Sequence, residues 1–317
     1  MPPNEHKKVL LLKPRGFCAG VVRAIDVVNI ALETFGAPIY VRREIVHNRH
    51  VVDELAGKGA IFVHEIDEVP GGQRVIYSAH GVSPAVRALS KDRGLKVIDA
   101  TCPLVTKVHL EAVRYAKQGY SLVLIGHRDH DEVEGTLGEA PEVTQVVSNV
   151  AEVEALLVPD PDRVAYLTQT TLSLTEARDM IQALKLKFPK IIGPPTQDIC
   201  YATENRQVAV RNVARSAGLV LVVGSTNSSN SNRLVEVSRN LGTTGFLIEN
   251  SEMIDPKWLE GVATVAVTAG ASAPEVLVED VLAYLGRNGF DEVEEVEAVR
   301  EDVHFGLPLE IAHAAGR

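Results

Sequence analysis

One pattern occurs three times in this 317-residue chain, and it limits the fold more than any other feature. Each occurrence runs strand, cysteine, helix, strand, polar loop, helix, strand, polar loop. The cysteines are Cys18 in "PRGFCAGVVRA", Cys102 in "DATCPLVTKVH" and Cys200 in "QDICYATENRQ". The first polar loop follows at His47, His130 and Ser228, at offsets of 29, 28 and 28 residues. The second follows at His80, Thr170 and Ser272, at offsets of 62, 68 and 72. Apolar runs such as "KVLLLK", "SLVLIG" and "LVLVVG" alternate with helix-patterned stretches, which argues for βαβ units and parallel sheet.

The expected architecture is therefore α/β, with three similar domains of small, mainly parallel sheets. The expected boundaries are 8–100, 101–196 and 197–290, followed by a C-terminal tail at 291–317. Ligands of open parallel sheets bind beyond the carboxyl ends of the strands, where all nine special positions fall. A pseudo-threefold arrangement would let three thiols and six polar loops converge on one centre.

A hydrophobic content of 45% supports well-formed cores, and a formal charge of −10 argues against general nucleic-acid binding. The N-terminus has four consecutive apolar residues before Lys13, too few for a signal-peptide core. No later run could span a bilayer, so the expected location is the cytoplasm. Three cysteines cannot all pair, and a reducing compartment disfavours disulfides.

Single thiolates far apart in sequence lack the C-x-x-C spacing of most zinc sites. A three-cysteine zinc site and an iron–sulfur cluster with one open iron both remain possible on spacing alone. The loop "GSTNSSNSN" offers Ser228, Ser229 and Asn230 just after a strand, and such hydroxyls and amides near a helix N-terminus can cradle an anion. His47, His80 and Ser272 occupy matching loops. "HDEVEGT" supplies His130 and Glu132, a carboxyl suited to general-acid work if it is buried, with Thr170 in the equivalent loop to orient a proton.

Taken in order, "RGFCAGVVRAI", "REIVHNRHVV", "SAHGVS", "DATCPLVTKVH", "GHRDHDEVEGT", "TQTTLS", "DICYATENRQ", "VVGSTNSSNSNRL" and "TAGASAPE" resemble the LytB (IspH) family of 4-hydroxy-3-methylbut-2-enyl diphosphate reductases. The resemblance runs from about Val9 to Pro308. It implies a three-domain trefoil and an oxygen-sensitive 4Fe–4S cluster on Cys18, Cys102 and Cys200, its fourth iron open to substrate. It also implies diphosphate binding by His47, His80, Ser228, Ser229, Asn230 and Ser272. His130 and Thr170 would line the pocket, and Glu132 would donate the proton. The implied reaction is a two-electron reductive dehydroxylation fed by a ferredoxin or flavodoxin.

This chain carries Asp131 where many relatives have proline, which adds a negative charge beside His130. The stretches "MPPNEHKK" and "DEVEEVEAVREDVHFGLPLEIAHAAGR" read as variable, and no role is expected of the tail. Rival readings are a zinc hydrolase using Glu132, a non-catalytic sensor of an anionic metabolite, and a cluster hydro-lyase without net redox.

Overall fold

The computed structural model describes residues 7–314, so the first six residues of the expected variable start and the last three of the tail lie outside the described residues. Along the chain run β1 (Lys8–Lys13), α1 (Ala19–Phe35), β2 (Ile39–Arg42), α2 (Arg49–Gly57), β3 (Ala60–Val63), β4 (Arg74–Tyr77), α3 (Pro84–Asp92) and β5 (Lys96–Asp99). Next come α4 (Pro103–Lys117), β6 (Ser121–Ile125), α5 (Asp131–Glu139), β7 (Thr144–Val147), α6 (Val150–Ala155), β8 (Val164–Thr168) and α7 (Leu174–Lys187). The last third holds α8 (Tyr201–Val213), β9 (Leu219–Val223), α9 (Ser229–Asn240), β10 (Gly245–Ile248), β11 (Thr264–Ala269), α10 (Glu275–Arg287), β12 (Glu292–Glu297) and α11 (Leu309–Ala314).

All strand pairs are parallel and form three small sheets, ordered β10-β9-β11-β1-β12, β3-β2-β4-β5 and β7-β6-β8. The expected α/β class with three small parallel sheets is borne out. Among the described residues, no helix is long and apolar enough to cross a membrane.

The chain divides into two compact units. The first holds residues 7–18, His47–Arg49 and Tyr201–Val303. Its five-stranded sheet is buried on both faces, which explains why its central strands read as unbroken apolar runs. Alternate residues serve opposite cores, as the two-residue period of a strand requires. Val9 and Leu11 join Leu219, Leu221 and Val223 on one face. Leu10 and Leu12 join Val220 and Val222 on the other.

Two strands of this sheet differ from the expected domain limits. β1 was expected to open the first domain, yet it pairs with β11 and β12. The presumed tail begins with β12, "EVEEVE", whose register sets Lys8 beside Glu292 and Lys13 beside Glu297. Charge complementarity explains how such an acidic segment becomes an edge strand. Lys8 Nζ reaches Glu294 at 2.9 Å, Lys13 pairs with Glu295, and Arg15 lies 3.8 Å from Glu295.

Helix α9 packs unusually close to the ends of β9 and β11. A Cβ added at Gly270 would stand 1.9 Å from Ser231 Oγ and 3.1 Å from its Cβ. Gly270→Ala is therefore expected to cost about 1–3 kcal/mol, the usual range for overpacking. Gly286→Ala, in the open last turn of α10, should be neutral or slightly stabilising. Urea midpoints of the two variants check this, and equal midpoints would refute the close-packing account.

The second unit holds Ala19–Val46, His50–Cys200 and residues 304–314, with the four- and three-stranded sheets. Its helices start and stop where the sequence signals them. Pro103 opens α4, and Arg114 and Lys117 sit in its last turn, favourably placed against the helix dipole. Gly36 and Gly119, at φ of 74° and 77°, supply the left-handed turns after α1 and α4. In the first unit, α8 ends at Val213 and runs into a short 3₁₀ turn at Ala214–Ser216.

Candidate functional site

Each cysteine directly precedes a helix: Cys18 before α1, Cys102 as the N-cap of α4, and Cys200 before α8. All three are free thiols of intermediate exposure. Each stands at the positive end of a helix dipole, where negative groups are favoured.

In the first unit, the polar residues gather at the carboxyl ends of β9 and β11. Ser228 caps α9, and its Oγ accepts from the Ser231 amide at 3.4 Å and the Ser231 hydroxyl at 3.0 Å. Asn230 bridges two elements. Its Oδ1 accepts from the Ala271 amide at 2.9 Å, and its Nδ2 donates to Thr203 Oγ1 at 3.3 Å. Ser272 Oγ donates to the His47 carbonyl at 2.9 Å, and Asn227 Nδ2 lies 3.5 Å from His47 Nδ1. Ser229, half-buried, is the first residue of α9. His47, Ser228, Ser229, Asn230 and Ser272 thus belong to one unit, on loops that share hydrogen bonds.

The Cys18 loop is fastened to the same unit. Its amide donates to the Ala271 carbonyl at 3.1 Å. Fully buried Arg206 donates to the Gly16 carbonyl at 2.7 Å and pairs with Glu301 at 3.0 Å. Glu301 lies in the tail of which no role was expected. Nothing in the sequence linked it to an arginine 95 residues earlier.

In the second unit, Glu132 is 2% exposed and clamped by one residue. The Thr170 amide donates to Glu132 Oε1 at 2.7 Å, and the Thr170 hydroxyl lies 2.8 Å from Oε2. Burial dominates these two bonds and pushes the carboxyl up to about 7. Asp131, Glu132 and Glu134 form the first turn of α5, where the helix dipole favours carboxylates. Only Glu132 points inward.

His130 is the N-cap of α5, and its Nδ1 accepts from the Glu132 amide at 3.2 Å. An accepting Nδ1 carries no proton, so the neutral ring holds its hydrogen on Nε2. The His80 and His130 rings meet edge to face at 5.8 Å, and Ser78 Oγ lies 3.3 Å from His80 Nδ1. Asp131 is neutralised by Arg43, which also bonds Glu65 at 3.1 Å and Glu134 at 2.8 Å. Arg43 is the one non-glycine residue with positive φ among those described, at 58°. Three carboxylates hold it in that sparsely populated conformation.

Both cysteines of this unit hang from the loops that carry predicted site residues. The Cys102 amide donates to the Ala79 carbonyl at 3.0 Å, and the Cys200 amide to the Thr170 carbonyl at 3.1 Å. Lys107 of α4 grips the segment before Cys200. Its Nζ donates to the carbonyls of Thr196 and Gln197 and to Asp198 Oδ1, at 2.7, 3.2 and 3.0 Å. Asp198 also accepts from the Thr168 amide at 2.9 Å, and burial raises its carboxyl above the ordinary range. Sequence reasoning missed Lys107 and Asp198. Their only signal was a lone acid before Cys200 and a lysine on α4.

These features define an α/β protein of three small parallel sheets, with two polar residue sets at strand ends and three free thiols at helix starts. A family model described as LytB protein matches residues 9–286. The chain belongs to the LytB family. It is 55% identical to the 4-hydroxy-3-methylbut-2-enyl diphosphate reductase of Leifsonia xyli, over 98% of this chain and 93% of that one. The reductase of the same name from Acidothermus cellulolyticus is 56% identical, over 98% and 92%. Among solved structures, the E-1-hydroxy-2-methyl-but-2-enyl-4-diphosphate reductase from Plasmodium falciparum matches with a TM-score of 0.95 and 41% identity, over 97% of this chain and 98% of that one. A second, an (E)-4-hydroxy-3-methyl-but-2-enyl diphosphate reductase described as the terminal enzyme of the non-mevalonate pathway, matches with a TM-score of 0.63 and 32% identity, over 89% and 99%.

Proposed function

We propose that this chain reduces (E)-4-hydroxy-3-methylbut-2-enyl diphosphate to isopentenyl and dimethylallyl diphosphate, the last step of the methylerythritol phosphate route to isoprenoids. Family membership supports the substrate. The observation that carries the chemistry is buried Glu132, held by Thr170 with its carboxyl raised to about 7. Such a group keeps a proton near neutral pH and can give it to a leaving hydroxyl. The reaction takes two electrons and two protons, breaks the allylic C–O bond, and releases water.

The donor set fits a 4Fe–4S cluster. Cys18, Cys102 and Cys200 are free, partly accessible and placed at helix starts, and three thiolates leave one of four irons without a protein ligand. When bound, the cluster would supply single electrons and a Lewis-acidic iron.

The other steps fall to the chain's own side chains. The Thr170 amide donates to Glu132 Oε1 and the Thr170 hydroxyl to Oε2; when Glu132 takes up its proton on Oε2, that second bond reverses and Oε2 donates to Thr170 Oγ1. The threonine hydrogen is then free to turn toward the substrate oxygen, making Thr170 the outlet of the acid. His130, with its hydrogen on Nε2, donates to the same hydroxyl region. In the first unit, Ser228, Ser229, Asn230, Ser272 and His47 hold diphosphate oxygens at the head of α9. Fixing the diphosphate orients the allylic carbon and supplies part of the rate by positioning.

Anaerobic purification tests this reading. The expected product is a brown protein with roughly four iron and four sulfide per chain that reduces the diphosphate with a low-potential reductant. A colourless protein holding zinc and no acid-labile sulfide would sink it.

A further inference from the structure

We propose that the cleft over the outer face of α4 is the docking surface for a small acidic iron–sulfur protein that delivers electrons. This rests on the reductase reading, because that reaction consumes two electrons and iron–sulfur carriers bring them singly. The cleft, about 490 Å³, is bordered by Arg23, Thr101, Pro103, Lys107, Leu110 and Arg114. Thr101 and Pro103 flank Cys102, so the cleft adjoins one of the three proposed cluster ligands. At 1.5 Å of rise per residue, Thr106 stands ~6 Å and Leu110 ~12 Å along the helix axis from Cys102. An electron entering here has a short path to the sulfur.

Charge selects the partner. The whole chain carries −10, yet Arg23 and Arg114 both stand at this cleft, beside Lys107, which is paired with Asp198. Its one carboxyl, Glu111, is pushed up to about 7 by burial and the Asp198 charge, and so is only partly ionised near neutral pH. Arg23 is anchored on the carbonyls of Gly306 and Thr101 at 2.7 and 3.0 Å, and the Arg114 guanidinium lies 4.7 Å from the centre of the Tyr115 ring. These are fixed positive charges on a surface whose average is negative. They would steer a carboxylate-rich face toward Cys102, with Asp99 and Glu310 the carboxylates nearest Arg23.

Leu110, 64% exposed, gives the apolar contact, and Val22, 43% exposed, neighbours Arg23 in sequence. A small apolar centre inside a charged rim suits a weak, fast-exchanging redox encounter of low buried area. The polar sets around Glu132 and Asn230 are not part of this surface.

The experiment compares two reductants on the holoenzyme. One is a reduced acidic ferredoxin, and the other is methyl viologen radical, which needs no docking. Leu110→Glu and Arg114→Glu are each expected to raise the KM for ferredoxin by about tenfold and to flatten its salt dependence. Viologen-driven turnover should stay within about twofold of wild type, which also certifies folding. Should a glutamate variant lose viologen turnover, Leu110→Gln and Arg114→Gln carry the same comparison. An unchanged ferredoxin KM with intact viologen turnover overturns the docking surface alone. A defect with flavodoxin but not ferredoxin overturns the choice of partner. A wild-type holoenzyme that viologen cannot drive overturns the reductase reading, and this proposal with it.

Discussion

Glu132→Gln is expected to lower turnover by about 10²–10⁴-fold, the usual worth of a positioned general acid, with cluster iron retained. The glutamine keeps the shape and can still bond Thr170, but it has no proton to give. In the parent enzyme the acid must be protonated, so turnover should fall as pH rises through about 7. The same substitution should stabilise the protein at high pH. The Glu132 carboxyl is raised from 4.5 to about 7 in the folded state, so folding binds a proton. Its contribution to stability is fully present below pH 4.5 and is lost as pH rises through about 7. The span corresponds to ~3 kcal/mol. Glutamine does not titrate, so its advantage over the parent should be near zero at pH 4.5 and reach ~3 kcal/mol at pH 8. Paired unfolding curves at the two pH values, with turnover measured beside them, check both halves. Turnover within about threefold of the parent would remove Glu132 from the acid's role.

Cys102→Ser should abolish iron retention and activity together, while the apoprotein folds as well as the parent apoprotein or better. The separation follows from the position. Cys102 is the N-cap of α4 and makes no side-chain capping bond. Serine is a preferred N-cap, and its hydroxyl can accept from the first free amides of the helix, an exchange worth about 0.5–2 kcal/mol. A loss of fold would mean that the thiol packs; a loss of metal with a fold equal or firmer would mean that it ligates. Iron and sulfide assays on anaerobically reconstituted protein, set beside the apoprotein melting curve, distinguish the two. Parental iron content in the serine variant would end the ligand assignment.

The sequence exposes the local grammar of this molecule and hides its long-range pairings. Cysteine before helix and polar loop after strand could be read directly, because caps, turns and periodicity are set by near neighbours. The sheet membership of β1 could not. "KVLLLK" announces a strand buried on both faces but names no partner, and its partners lie more than 250 residues away. β12 was read as tail because acidic alternation resembles a solvated segment. Its counter-charges, Lys8 and Lys13, stand at the opposite end of the sequence.

The same distinction holds for functional residues. Ser228 and Thr170 sit in loops, and Asn230 in the first turn of α9, within a Ser/Asn-rich or Thr-rich stretch whose composition betrays them. Lys107, Asp198, Arg206 and Glu301 act through partners that only folding brings near. Asp131 illustrates the point in reverse. Its charge stood out beside His130, but Arg43, 88 residues earlier, absorbs it.

The place of β1 has a consequence for how the protein is born. β1 is made more than 250 residues before β11 and β12, between which it lies. At about 5–20 residues per second, Val9–Leu12 must wait roughly 13–50 s before its first neighbour, β11, emerges. During translation that greasy segment has no home, so nascent chains of this protein should depend on a holding chaperone until β11 and β12 have been made.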